Sequence, residues 1–222
     1  MTAILEGRRY ETAKRLLNIS AVELFNPKGQ ARYYIYASGG KGPIYCDIRL
    51  ALGDITVRRY IRDQFLKLLE EQGIEFDIIE GIATAGIPHA SFLADHLEVP
   101  LGYVRGKAKD HGKGNQVEGP SVKDKSVILI EDLINTGGSS IEAVEAIRTQ
   151  GGSVQCCLAI VTYNREDARQ NFSAAQCPLF VLTDIEAILE VAITERYITE
   201  EQRAEVLEWR NDPKGWASRR GY

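Results

Sequence analysis

One stretch carries most of the chemistry that the residues suggest: Val127-Ile128-Leu129-Ile130-Glu131-Asp132-Leu133-Ile134-Asn135-Thr136-Gly137-Gly138-Ser139-Ser140. An unbroken apolar run, read as a buried strand over residues 127–130, delivers two adjacent carboxylates at its C-terminal end, where ligands sit in open parallel sheets. A turn rich in Thr, Gly and Ser follows and opens into a helix. Its glycines let main-chain N–H groups converge, and the positive end of the helix dipole faces the same point, which makes a phosphate cradle. A Walker-type loop needs a lysine ahead of the Ser/Thr, and Gly138 stands there; the G-x-G-x-x-G spacing of a dinucleotide site is absent as well. Two acids before a monophosphate cradle suit a sugar phosphate: the carboxylates accept hydrogen bonds from ribose hydroxyls while the loop holds the 5′-phosphate. The same pattern also fits an ordinary helix N-terminus with acids at a strand end.

The second constellation is basic. Arg105-Gly106-Lys107-Ala108-Lys109-Asp110-His111-Gly112-Lys113-Gly114 holds four basic residues, one acid and a histidine. With three glycines and no large apolar residue, it has nothing with which to pack and is expected to be mobile when empty. A positive loop of this length could fold over a polyanion, exclude water and strengthen each charge contact. A solvated surface loop is the plainer alternative.

The elements that must position these groups alternate. Helical spacing marks residues 8–18, 55–72, 87–97, 139–150, 166–172 and 185–192; strand patterns mark 32–37, 44–48, 77–82, 101–104, 127–130, 154–162 and 179–182. Strands that read as continuous apolar runs between helices imply an α/β fold, with a mostly parallel central sheet covered on both faces. A further helix over 200–209 and a polar end from 211 to 222 close the chain, the tail being expected to cover the sheet. With no linker-like stretch, residues 1–222 read as a single domain.

Composition sets outer limits. The chain has 222 residues, a net charge of −4 and 44% hydrophobic residues, enough for a sizeable core. An acidic balance excludes a nucleic-acid coat. No apolar run approaches the roughly 20 residues of a membrane span, and the first residues do not read as a signal peptide. Cys46, Cys156, Cys157 and Cys177 show no C-x-x-C spacing, so no metal site is expected from them, and a reduced, cytoplasmic setting is.

Residues 128–140 resemble the PRPP signature of type I phosphoribosyltransferases: apolar strand, two acids, two apolar residues, then a Thr/Gly/Ser loop. Within that family, residues 105–119 resemble the catalytic loop of orotate phosphoribosyltransferases. Ser38-Gly39-Gly40-Lys41-Gly42-Pro43-Ile44-Tyr45-Cys46-Asp47-Ile48-Arg49 resembles their substrate segment, and Gly81-Ile82-Ala83-Thr84-Ala85-Gly86-Ile87-Pro88 their pyrophosphate loop. The resemblance implies a type I phosphoribosyltransferase fold with a small N-terminal hood (1–50), a mobile catalytic loop (105–119) and a C-terminal helix and tail (199–222). It also implies transfer of phosphoribose from PRPP to orotate with Mg²⁺, a step of pyrimidine (UMP) biosynthesis. The enzyme would be a cytoplasmic homodimer in which the basic loop completes the neighbouring site, with no nucleic-acid or membrane partner.

By the same resemblance Arg105, Lys109 and His111 bind the pyrophosphate end of PRPP, with Lys109, His111 and Asp132 as the catalytic residues. Glu131 and Asp132 hold the ribose hydroxyls, and Leu133, Ile134, Asn135, Thr136, Gly137, Gly138 and Ser139 line the rest of the PRPP site. Asn135 and Arg165 are implied to contact orotate, although Arg165 also reads as a surface arginine after a strand. Mg²⁺ is expected to ride on PRPP rather than on a dedicated cage. The chain departs from other branches at Ala37, Ala85 and Gly106, where they carry lysines, and three fewer cations should weaken PRPP binding unless Lys41, Lys107 or Mg²⁺ compensates. Two other functions fit the phosphate loop alone: a phosphoribosyltransferase for a different base, or a non-catalytic PRPP-sensing regulator. Retention of both acids and of the basic loop argues against the regulator.

Overall fold

The computed structural model describes residues 2–25, 32–36, 39–106 and 116–222, with side chains from residue 7 onward. The chain forms two compact units, residues 1–54 with 183–222, and residues 55–182.

The first unit begins with α1 (Thr2–Asn18), which buries Thr12, Ala13, Leu16 and Leu17 on one helical face. Four short strands follow: β1 (Val22–Leu24), β2 (Tyr34–Ile35), β3 (Lys41–Gly42) and β4 (Ile44–Cys46). β1 pairs antiparallel with β4, and β2 with β3. Strand β1 is too short to show a two-residue alternation, and the sequence pattern does not announce it.

The second unit holds α2 (Ile55–Gln72), β5 (Ile78–Ile82), α3 (Gly86–Leu97), β6 (Leu101–Val104), β7 (Val117–Glu118), β8 (Ser126–Ile134), α4 (Gly138–Thr149), β9 (Ser153–Thr162), α5 (Glu166–Ala174) and most of β10 (Leu179–Asp184). Its sheet has the order β10-β9-β8-β5-β6-β7. The β8/β9, β5/β8 and β5/β6 pairs are parallel and β6/β7 is antiparallel, giving the expected mostly parallel α/β sheet. Side-chain alternation puts helices on both faces. Ile78 and Ile82 join Val127, Leu129, Cys157 and Ala159 under Val144 and Ile147 of α4. Gly81 points the other way, where a Cβ would press on Ile87 and Ala90 of α3.

The first unit resumes with α6 (Ile185–Thr194), α7 (Glu200–Asn211) and α8 (Pro213–Arg219). Arg9 of α1 makes two hydrogen bonds to Asp184 at 2.9 and 2.7 Å, and Asp184 also caps α6 through the Ala187 N–H. The stretch after residue 211, expected as a polar end, is instead a helix that buries Trp216 completely. Its polarity belongs to one face, where Arg219 and Arg220 pair with Glu205, Glu208 and Asp212. Among the described residues no helix is long and apolar enough to cross a membrane, and all four cysteines are free.

Candidate active site

Strand β8 is longer than its apolar run. Residues Val127 to Ile130 are wholly buried, and pairing then continues through the acids, with Glu131 opposite Ala159, Leu133 opposite Val161 and Ile134 opposite Thr162. The long neighbour β9 supplies these partners, so the two carboxylates are fixed by sheet hydrogen bonds and not carried on a loop. Ile134 turns its side chain into the core, leaving its main chain as the part that can meet a ligand.

The phosphate turn is only three residues long, Asn135 to Gly137, and α4 starts at Gly138. Gly137 has φ +77°, and a Cβ there would sit 2.8 Å from the Phe172 ring, so left-handed backbone and close packing both require glycine. Asn171 of α5 donates its side-chain N–H to the Thr136 carbonyl at 2.9 Å and pins the turn from behind. No side chain caps α4, so the N–H groups of its first turn, including those of Gly138 and Ser139, remain available to an anion. Asn135 and Thr136 are exposed at this mouth.

The two acids are not equivalent. Glu131 is 6% exposed, and its Oε1 accepts the Asp132 N–H at 3.0 Å. Burial, then the Asp132 side chain, hold its pKa well above the ordinary carboxylate range, favouring its protonated form. Asp132 is half-exposed at the same strand end. His89 of α3 lies within electrostatic reach of Asp132. Burial nevertheless lowers the His89 pKa to about 4, against the opposing pull of Asp132, so the imidazole is neutral near pH 7. Its Nδ1 has no hydrogen-bond partner among the described residues.

A second helix start faces the acids. The segment 81–88 runs from β5 into α3, and the peptide bond between Ala83 and Thr84 is cis. Gly86 lies so close to β8 that a Cβ would overlap the Ile130 carbonyl oxygen and come within 3.3 Å of the Glu131 Cα. This contact brings the uncapped N-terminus of α3 beside the carboxylate pair.

The basic constellation is described only at its roots. The Arg105 N–H donates to the Gln116 carbonyl at 2.9 Å, continuing the β6/β7 ladder, and its guanidinium lies 3.6 Å from Glu118. Lys107, Lys109 and His111 lie outside the described residues. Arg165 stands before α5, its guanidinium gripped by Asp167 at 2.7–3.2 Å, and lines a cleft of about 340 Å³ with Thr162, Phe172 and Cys177. The Tyr163 N–H bonds the Ile134 carbonyl at 3.0 Å, so the segment leading to Arg165 runs beside Asn135. A larger cleft of about 670 Å³ borders Gln116, Gly138 and Asn171 but follows the outer face of α4, away from the acids.

His89 and Asn171 are the site neighbours that motif reading passes over. Neither has a local signal, since each reaches the site from the middle of a helix elsewhere in the sequence.

Known proteins match this arrangement. The family model of the phosphoribosyl transferase domain matches residues 55–195. An orotate phosphoribosyltransferase of Listeria innocua is 44% identical over 206 residues, 93% of this chain and 97% of that protein. One from Staphylococcus aureus is 46% identical over 202 residues, 91% of this chain and 98% of that protein. Among solved structures, the orotate phosphoribosyltransferase of Aeropyrum pernix superposes with a TM-score of 0.66 at 29% identity, over 81% of this chain and 97% of that one. By the matched domain and these identities over nearly its whole length, the chain belongs to the phosphoribosyltransferase family, in its orotate phosphoribosyltransferase branch.

Proposed function

We propose that the chain transfers the 5-phosphoribosyl group from PRPP to orotate, giving orotidine 5′-monophosphate and pyrophosphate, in the synthesis of UMP. The observation that carries this reading is the junction of β8 and α4, where Asp132 and Glu131 stand immediately ahead of an anion-ready, uncapped helix start. In the reaction a ring nitrogen of orotate gives up its proton to solvent and bonds to C1′ as the C1′–O bond to pyrophosphate breaks, so positive charge grows on the sugar and negative charge on the leaving group. The N–H groups after Gly137 hold the 5′-phosphate, and Thr136 adds a hydroxyl. Asp132 accepts ribose hydroxyl hydrogens and offsets charge near C1′; Glu131, when protonated, serves as a hydrogen-bond donor or a spacer. Arg105, Lys109 and His111 neutralise the departing pyrophosphate, a contribution largest in the transition state. Asn135 and Arg165 face orotate, Arg165 requiring release from Asp167.

Mg²⁺ fits as a passenger of PRPP. Among the described residues no group of three or more metal-ligating side chains converges, and of the acid pair the half-exposed Asp132 is the carboxylate that would meet the ion. When bound, Mg²⁺ neutralises charge on the diphosphate. We further assign residues 1–222 to one phosphoribosyltransferase domain, acting as a cytoplasmic homodimer whose basic loop serves the neighbouring site.

The test follows orotate loss at its ultraviolet band with PRPP and Mg²⁺, for the wild type and Lys109→Ala. Turnover that falls by about 10²-fold or more in the variant supports the reading. Folded wild-type protein that leaves orotate intact but consumes a purine base or uracil would assign another base, and PRPP binding without turnover of any base would assign a sensor.

A further inference from the structure

His89 sits on the face of α3 that packs on β8. Gly86, three residues earlier on that face, lies so close to the strand that a Cβ would overlap the Ile130 carbonyl oxygen. A helical side chain leans towards the N-terminus of its helix, and Gly86 leaves the space over that turn empty. The His89 imidazole therefore leans towards the end of β8 that carries the acids. Strand alternation decides which acid it faces. Leu129 belongs to the core under α4, while Ile128 and Ile130 are wholly buried on the α3 side. Continuing the alternation, Glu131 turns with Leu129 towards α4, within electrostatic reach of Cys157. Asp132 turns with Ile130 towards α3, and it is the charged group that acts on His89. The imidazole is 3% exposed and carries one N–H, because burial keeps it neutral. Its Nδ1 is fully enclosed and has no hydrogen-bond partner among the described residues. A stranded N–H in such a place costs more than a stranded lone pair, so the proton belongs on Nε2. The ring thus holds one unspent donor on the side of the molecule where Asp132 stands.

We propose that His89 is a positioning residue for the transfer: when PRPP is bound, its Nε2–H donates to the Asp132 carboxylate and fixes the orientation that receives the ribose hydroxyls. The inference rests on the phosphoribosyl-transfer reading and deepens it. Pairing of Glu131 and Leu133 with β9 fixes the main chain of Asp132 but not the torsions of its side chain, and that is what His89 sets. Among the described residues no hydrogen bond joins the two, and the half-exposed Asp132 has room to turn as the sugar arrives. One carboxylate oxygen held by His89 leaves the other to accept from the ribose.

The experiment compares wild type, His89→Leu, His89→Gln and His89→Asn, and His89→Leu combined with Asp132→Asn, measuring kcat, KM for PRPP and for orotate, and thermal midpoint. His89→Leu removes both ring nitrogens at similar volume, and kcat should fall about 10- to 100-fold with each KM within about threefold. Its melting midpoint should hold or rise, because a buried unpaired nitrogen goes with the ring. Glutamine places an amide N–H where Nε2 stood, and asparagine places one where Nδ1 stood. His89→Gln should therefore recover most of the lost kcat and His89→Asn should not. In the Asp132→Asn background His89→Leu should cost no more than about twofold further, because a positioning residue then has nothing left to position. A kcat within about twofold of wild type in His89→Leu, equal losses in the Leu and Gln variants, or losses that multiply in the double variant would each overturn the assignment. Should His89→Leu not fold, the Gln and Asn variants decide alone, and a kcat in His89→Gln no higher than in His89→Asn overturns it. Wild-type protein without orotate turnover would remove the functional reading and this assignment with it, whereas the other outcomes touch the assignment only.

Discussion

The junction of β8 with α4 and the aromatic cluster around Lys41 are built on opposite plans. The junction is contiguous: nine strand residues, a three-residue turn and a helix start place two acids and a ring of N–H groups within one stretch of sequence. Its geometry is enforced by backbone rules, namely pairing with the next strand, a left-handed glycine and the orphan donors of a helix end. The cluster is assembled from Tyr33, Tyr36, Lys41 and Gly42 with Trp209 and Tyr222, joined by an indole hydrogen bond and by ring contacts. The first plan fixes atoms by backbone geometry, and the second by packing of large side chains. Removing a charge should therefore separate function from stability at the junction, whereas trimming a large side chain at the cluster should cost stability.

The largest effect should come from Asp132→Asn. The amide keeps the shape of a half-exposed side chain at a strand end but removes its charge, so kcat should fall about 10²- to 10⁴-fold while the melting midpoint stays within a degree or two. Calorimetry beside the orotate assay checks both halves. A large loss of stability would mean that the junction depends on packing after all.

This contrast also explains what could be read from the sequence. The alternation of strands and helices, the parallel sheet and the junction were legible because each rests on residues near one another in the chain. The strand's extension through Glu131 to Ile134 was not, since it depends on the length of β9. Nor was the inequality of the two acids, which follows from the buried neighbourhood of Glu131. The C-terminal residues 211–222 read as polar because Lys, Arg, Ser and Asn outnumber the one tryptophan, yet that tryptophan fixes the helix. The aromatic residues that hold Lys41 have no periodicity pointing to one another.

Glu80 gives the next effect and tests the sheet that carries the junction. It is fully buried on β5, filling the space above Gly102, where a Cβ would overlap its carboxyl. Neither oxygen has a hydrogen-bond partner among the described residues, and burial raises its pKa to about 8. The folded protein therefore holds a proton that the unfolded chain, with an ordinary carboxylate pKa of about 4.5, releases earlier. Stability from this group is full below about pH 4.5 and is lost as the pH climbs through 8. Glu80→Gln removes the titration, so its stability relative to wild type should rise by about 2–4 kcal/mol between pH 5 and 9, read from urea melts. Parallel profiles would mean that Glu80 finds a counter-charge.

Gly137→Ala probes the junction's own backbone. Alanine must adopt φ +77° and push its methyl group towards Phe172, at a cost of about 1–3 kcal/mol in stability. The turn that yields is the one that aims N–H groups at the phosphate, so KM for PRPP should rise together with the loss of stability. An unchanged KM would detach the cradle from this glycine.

The smallest expected effect lies at the helix that feeds the Lys41 cluster and sharpens the contrast most directly. Thr199 caps α7 through the Gln202 N–H at 3.3 Å, while the Gln202 side chain accepts the Thr199 N–H at 2.9 Å. The reciprocal pair satisfies two donors at the start of the helix that carries Trp209. Thr199→Ala should cost about 1 kcal/mol, felt first as fraying of α7. Hydrogen exchange should accelerate in residues 200–211 while the amides of β8 keep their protection. Trp209 lies ten residues on, so its indole should keep its bond to the Lys41 carbonyl and its emission should stay as in the wild type. A shifted emission would show that the cap, and not local packing around the indole, holds the far end of α7 in place.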